Sequence, residues 1–127
     1  MENITKVIVD DFLQNNTLDF NSTHKKLSLP IINRIFKKMK HGIRFEDIKV
    51  SDNLIIDGHH RYISSVLAGF SIGKIEYHKT SAKIEYKWKD VEFINEDWDT
   101  EFKIKHLNHL DAEFNNISIE KIIDIIR

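Results

Sequence analysis

The stretch LIIDGHHRYISSVLAG, residues 54–69, changes its hydrophobic period at its middle, and this change restricts the fold more than any other feature of the chain. Before Gly58 the run NLIID is short, apolar and β-prone. After it, Tyr62, Ile63, Val66 and Leu67 recur at helical spacing, and Gly69 follows as a stop. A strand therefore enters a helix through one glycine. The run FEDIKV lies just upstream, separated by Ser51 and Asp52, which predicts a hairpin that ends at Asp57.

The flanking segments extend this reading. Pro30 sits where a helix can begin, because its missing N–H would have no intrahelical partner in the first turn. Ile31, Ile32, Ile35, Phe36 and Met39 then recur at helical spacing, with Arg34, Lys37, Lys38 and Lys40 on the remaining surface and Gly42 as the stop. Downstream, IGKIEYH and AKIEYKW alternate apolar and polar residues as half-buried strands do, and VEFI reads as a further strand. A sheet of four or five strands is expected. Phe102, Ile104, Leu107 and Leu110 are loosely helical, and SIEKIIDIIR reads as a closing helix with Ser118 as its N-cap and Ile119, Ile122, Ile123 and Ile126 as its buried stripe. The class these pieces support is α+β.

Composition sets further limits. A chain of 127 residues with 41% apolar content supports one core, so a single domain over residues 1–127 is expected. There is no cysteine, which removes disulfides, thiolate catalysis and cysteine-based zinc sites. No apolar run reaches the length of a membrane span, and MENITKVIVDDF lacks the apolar core of a signal peptide, so the expected location is the cytoplasm, with no membrane partner. Charge is unevenly placed. Thr23 to Arg44 holds seven Lys or Arg and no acid, whereas from Asp90 onward ten Asp or Glu face four Lys or Arg. The basic end is expected to favour anions.

The DGHHR turn carries the chemistry. A strand ending in Asp-Gly that feeds a helix lets backbone approach a ligand at Gly58 and points the first-turn N–H groups at it, an arrangement that attracts phosphate. Arg61 offers a planar fork for bidentate phosphate contact. His59 and His60 are candidates to donate to phosphate oxygens, to hold a metal, or to transfer a proton near neutral pH. Asp57 is a candidate to orient a histidine, to ligate Mg2+, or to accept a proton from a nucleophile. The alternative for all five is a plain strand-to-helix junction with a capping acid and a local salt bridge.

The hairpin, the glycine-stopped helix before it and IIDGHHRYISSVLAG together resemble the ParB/sulfiredoxin fold, a small mixed sheet flanked by helices whose signature turn is Gly-x-x-Arg at a helix start. The resemblance covers roughly residues 27–78, leaving 97–127 as a helical C-terminal extension. It implies that the turn binds nucleotide phosphates, and DGHHR is similar to the motif of ParB-like free-serine kinases and of related ParB-like domains, some of them nucleases. Where sulfiredoxins carry their catalytic cysteine this chain has His59, so sulfinic acid reduction is excluded. Partition ParB proteins carry an arginine-rich motif followed by further DNA-binding and dimerisation domains, whereas here about fifty residues, acidic in balance, follow the core, which argues against centromere-type binding. The kinase branch implies a catalytic acid from the N-terminal segment, for which Asp19 is the nearest candidate, with Asp10 and Asp11 behind it. The fold also implies that His24, Lys25 and Lys26 lie near the turn, where they would clamp a phosphate held by Gly58 and Arg61.

The resulting expectation is a domain that binds nucleotide or nucleic-acid phosphate, with ATP or another nucleotide as ligand. Asp57, His59 and His60 would perform phosphoryl chemistry of the nuclease or nucleotide hydrolase type, with Mg2+ on Asp57. The alternatives are a small-molecule kinase and a non-catalytic accessory module holding a nucleotide or a protein partner. Elsewhere, His106, His109 and Asp111 have a metal-pair spacing but read as surface residues. Trp88 and Trp98 read as core or edge packing, with base stacking as the alternative, and His41 reads as a partner for the end of its helix.

Overall fold

A computed structural model describes residues 3–78 and 84–127. In chain order the elements are helix α1 (Lys6–Asn15), strand β1 (Lys26–Ser28), helix α2 (Leu29–Lys40), strands β2 (Ile48–Ser51) and β3 (Leu54–Asp57), helix α3 (His59–Ala68), strands β4 (Lys74–Glu76) and β5 (Glu92–Ile94), and helices α4 (Glu101–Asn115) and α5 (Ile119–Ile126). The class is mixed α+β. No described helix is long and apolar enough to cross a membrane.

The strands divide into two small sheets. The order in the first is β3-β2-β4, with β2 and β3 forming the expected antiparallel hairpin and β4 joining β2 in parallel. The second is the parallel pair β1 and β5, which sets Leu27 opposite Phe93 and Ser28 opposite Ile94. Of the expected AKIEYKW strand, Ala82 and Lys83 lie outside the described residues. Its remainder forms one bridge, Tyr86 to Ser22, before Trp88 opens a short 3-10 turn leading into β5.

Burial follows the apolar periodicities from β1 through α3, whereas the alternation expected of IGKIEYH is not seen: only Ile72 is buried, and Ile75 and Tyr77 are exposed. Leu27, Ile32, Ile48, Ile55 and Ile63 are fully buried and bring β1, α2, the hairpin and α3 into one core, which Val9 of α1 and Trp88 also join. Helices α2 and α3 pack closely, helped by the small Ser64, whose hydroxyl donates to the Ile32 carbonyl at 3.1 Å. A smaller cluster of Ile43, Ala112 and Ile122 seats α4 and α5 beside the end of α2.

Two expectations about helix faces are corrected here. Lys37 and Lys38 are buried rather than on the outer surface of α2, because the C-terminal helices cover that side. On α4 the loosely helical Phe102 and Leu110 are exposed, Phe102 at 82%, and the buried positions are Asn108 and Ala112.

Candidate functional site

Helix α3 starts abruptly at Gly58, which adopts φ 96° and ψ 33°. An L side chain rarely takes this backbone conformation, and a Cβ placed there would stand 2.7 Å from both Ile48 Cγ2 and Arg61 Nη2. The position thus needs glycine twice over, for its backbone and for its space. No side chain caps the helix and its first turn holds no acid, so the positive end of the helix dipole has no neutralising carboxylate within that turn.

The turn forms one end of a cavity of about 890 Å³, lined by Asp57 through Arg61, by His24 and by one face of α2. The rest of its lining comes chiefly from α4 and the residues leading into it, from Trp98 beside His60 to Phe114. The structure therefore brings together Asp57, Gly58, His59, His60 and Arg61 from the motif, with His24 beside them. Lys25 and Lys26 are exposed and do not line the cavity, and Lys26 instead faces Glu92 of β5 at 3.9 Å. Asp10, Asp11 and Asp19 do not line it either, and Asp10 pairs with Lys6 within α1.

Both motif histidines are tied to main chain. His59 is buried, and its Nε2 accepts the Thr23 N–H at 3.1 Å, while the Thr23 hydroxyl donates to the Ile55 carbonyl at 2.8 Å. A main-chain N–H has no lone pair to offer, so Nε2 carries no proton in this arrangement and the ring is the neutral Nδ1–H form. His24 stacks on the same ring, with centroids 3.8 Å apart and planes 11° from parallel. His60 repeats the pattern one residue on. Its Nε2 accepts the Ser28 N–H at 3.0 Å, and Trp98 meets it edge-on at 5.4 Å. Burial first, then the charges of His24 and Lys103, push His60 down to about 4 against an opposing pull from Asp99. Both imidazoles thus position the segment before α2 against the turn, each through its Nε2.

The charged groups around the cavity are largely matched. Arg61 Nη2 stands 3.6 Å from Asp57, whose side chain is 63% exposed. Arg34 grips Asp97 in a bidentate pair at 2.6 and 3.0 Å, which holds that carboxyl below its usual range, and also reaches Asp99 at 3.3 Å. Lys38 meets Asp111 at 2.6 Å in a mostly buried pair, and Lys103 meets Asp99 at 3.2 Å. Lys26, Arg34 and Lys38, three of the seven basic residues in the block 23–44, thus pair with acids of the block from residue 90 onward. The expected anion-attracting surface is correspondingly weaker than the sequence suggests.

Other expected features resolve simply. Trp88 is core, its indole donating to the Phe20 carbonyl at 2.7 Å, whereas Trp98 stands half-exposed at the cavity. His41 Nδ1 meets the Lys37 carbonyl at 2.9 Å at the end of α2. His106 and His109 are exposed, Asp111 belongs to Lys38, and among the described residues no group of three His, Cys, Asp or Glu is placed to hold a metal ion. The residue that sequence reasoning missed is Asn108, which lines the cavity with its Oδ1 buried and without a hydrogen-bond partner. Its signal was positional: it stands four residues after Ile104 and four before Ala112, on the stripe that packs inward. Compared with known proteins, the chain matches no family model, no curated protein and no solved structure.

Proposed function

We propose that this is a nucleotide-binding domain of the ParB/sulfiredoxin-like kind that hydrolyses its ligand's terminal phosphate. The phosphates sit at the Gly58 turn, where first-turn N–H groups of α3 and the Arg61 guanidinium hold their charge. The observation that carries this reading is the uncapped, glycine-led start of α3 forming the end of a cavity lined by Arg61. The cavity's volume of about 890 Å³ lies in the range of small-molecule sites, roughly 300 to 1,000 Å³. Together with the internal pairing of Arg34, Lys38 and Lys103, it favours a mononucleotide over a nucleic-acid chain, which would call for an open, unpaired basic track.

The chemistry falls to Asp57. With the Nε2 atoms of His59 and His60 both accepting main-chain N–H groups, the exposed carboxylate of Asp57 is the motif group placed to take a proton. Water attacks the terminal phosphorus, its proton passes to Asp57, the bond from phosphorus to the bridging oxygen breaks, and a nucleotide shorter by one phosphate leaves with inorganic phosphate. Mg2+ carried in by the phosphates would be held by Asp57, consistent with that ion's habit of using one or two carboxylates plus phosphate oxygens, and would neutralise phosphate charge.

The test is calorimetric titration of the full chain with ATP, CTP and GTP, with and without magnesium, followed by phosphate release assays. Binding that Arg61→Ala weakens about tenfold or more supports the turn as the phosphate site. Binding without release of phosphate would leave the site standing and remove the hydrolysis. Unchanged affinity in Arg61→Ala would remove both.

A further inference from the structure

The two tryptophans of the chain sit in opposite surroundings. Trp88 is 7% exposed and belongs to the core, whereas Trp98 is 42% exposed and lines the cavity. Burying an indole is among the larger gains a core residue can make, so a ring left half in water at a concave site is contact area open to a ligand. It also stands beside the phosphate turn. Its ring lies 5.4 Å from that of His60, and His60 follows Gly58 by two residues, which limits the separation of those two Cα atoms to about 7.6 Å.

The backbone that carries this ring is fixed on both sides. The Glu96 carbonyl accepts the Ser28 hydroxyl at 2.8 Å, and the Ser28 N–H in turn meets His60. Asp97 and Asp99, immediately before and after Trp98, are both held by Arg34 of α2, and the Asp99 N–H donates to Asp97 Oδ1 at 3.0 Å. Thr100 then caps α4, its hydroxyl accepting the Lys103 N–H at 3.1 Å. The two acids flanking the indole are matched by Arg34, and Asp99 also by Lys103, which limits their repulsion of a phosphate nearby. A flat ring arriving here meets main chain that is already ordered, so less ordering has to accompany binding.

Resting on the phosphate reading above, we infer that Trp98 is the stacking platform for the base of the bound nucleotide and that this base is a purine. Stacking uses the face of the ring, which every base has, so selection follows ring size rather than the pattern of donors and acceptors at the base edge. Two fused rings cover more of the indole than one. Adenine and guanine are therefore held alike, and a pyrimidine less well. Trp98 lies outside residues 27–78, so base binding is a property of the segment between β5 and α4 rather than of the motif region.

The experiment follows affinity and tryptophan fluorescence together. ATP, GTP and CTP are titrated into the full chain, with tripolyphosphate as a probe of the turn alone. ATP and GTP are expected to bind about tenfold or more tightly than tripolyphosphate, with CTP between, and to quench fluorescence that tripolyphosphate leaves unchanged. In Trp98→Leu, checked for folding by circular dichroism, nucleotide affinity falls to that of tripolyphosphate, which is itself unchanged, and the quenching is lost. Trp98→Phe keeps an aromatic ring against His60 and should retain part of the nucleotide advantage. Nucleotides no tighter than tripolyphosphate, or an advantage that survives Trp98→Leu in full, would overturn the platform. So would loss of tripolyphosphate binding in Trp98→Leu, which would make the indole a support for His60 instead. CTP binding as tightly as ATP and GTP would overturn the purine assignment. A parent protein that binds no tripolyphosphate would show that the phosphate reading itself fails, and this inference with it.

Discussion

The Nε2 atom of His59 accepts the main-chain N–H of Thr23, 36 residues earlier, at 3.1 Å. This bond makes the histidine a strut between the phosphate turn and the segment ahead of α2. His59→Ala is expected to cost about 2–4 kcal/mol in folding stability, since it removes a buried ring and leaves the half-buried Thr23 N–H unmet. His59→Gln can return an acceptor and should recover part of that loss. Urea denaturation of the three proteins checks this. A His59→Ala protein as stable as the parent would refute the strut, and a stable His59→Gln protein that binds nucleotide but has lost hydrolysis would return the ring to the chemistry.

His60 predicts a direction for pH dependence. Its folded-state value of about 4 lies below the ordinary 6.5, chiefly because the ring is buried as a neutral acceptor for the Ser28 N–H. The unfolded chain therefore binds more protons than the folded one between these values, so stability is complete above pH 6.5 and declines as pH falls toward 4. At about 1.4 kcal/mol per pH unit the loss amounts to roughly 3 kcal/mol. Denaturation midpoints measured from pH 7 to pH 4 in the parent and in His60→Gln should converge as pH falls. Parallel curves would mean that another group dominates acid sensitivity.

Gly58→Ala combines two penalties that can be separated. The positive φ costs about 1–2 kcal/mol for an L residue, and the contacts at 2.7 Å with Ile48 Cγ2 and Arg61 Nη2 add about 1–3 kcal/mol. Gly42 also has a positive φ, of 81°, but a Cβ there meets nothing within 4 Å, so Gly42→Ala should show the backbone penalty alone. Thermal melts of both variants test the difference. Phosphate affinity should fall only in Gly58→Ala, where Arg61 must move; equal effects of the two substitutions would refute the crowding.

Lys38 and Asp111 form a pair at 2.6 Å with side chains 5% and 18% exposed. Asp111→Ala leaves the ammonium group unpaired and should destabilise by about 3 kcal/mol, whereas the double replacement Lys38→Met with Asp111→Leu should recover most of this. A double-mutant cycle with little coupling would show that α4 is seated on α2 by Ile43, Ala112 and Ile122 alone.

What the sequence made legible followed from local periodicity. The hairpin, α2, α3 and the closing helix α5 lie where apolar spacing and stop residues put them, although of the stripe expected on α5 only Ile122 is buried and Ile123 is exposed. The faces of α4 were less legible. Its polar Asn108 is inside and its Phe102 outside, an outcome decided by how the helix meets α2 rather than by its own composition. For the same reason Lys38 reads as surface when its partner, 73 positions later, is unknown. At the site, DGHHR correctly marked a glycine turn at the start of a helix. The roles of its histidines depended on Thr23 and Ser28, which carry no pattern of their own, since any residue other than proline supplies a main-chain N–H.

The parallel pairing of β1 with β5 has a consequence for how movable the motif is. Ser28, whose N–H engages His60, is set beside Ile94 by that pairing, and its hydroxyl donates to the Glu96 carbonyl at 2.8 Å. The five letters DGHHR are therefore not a cassette. Transplanted to another strand-to-helix junction they would bring the glycine turn and leave both imidazoles searching for hydrogen bonds. In this molecule the motif is written at three separate places along the chain, and only folding makes it one word.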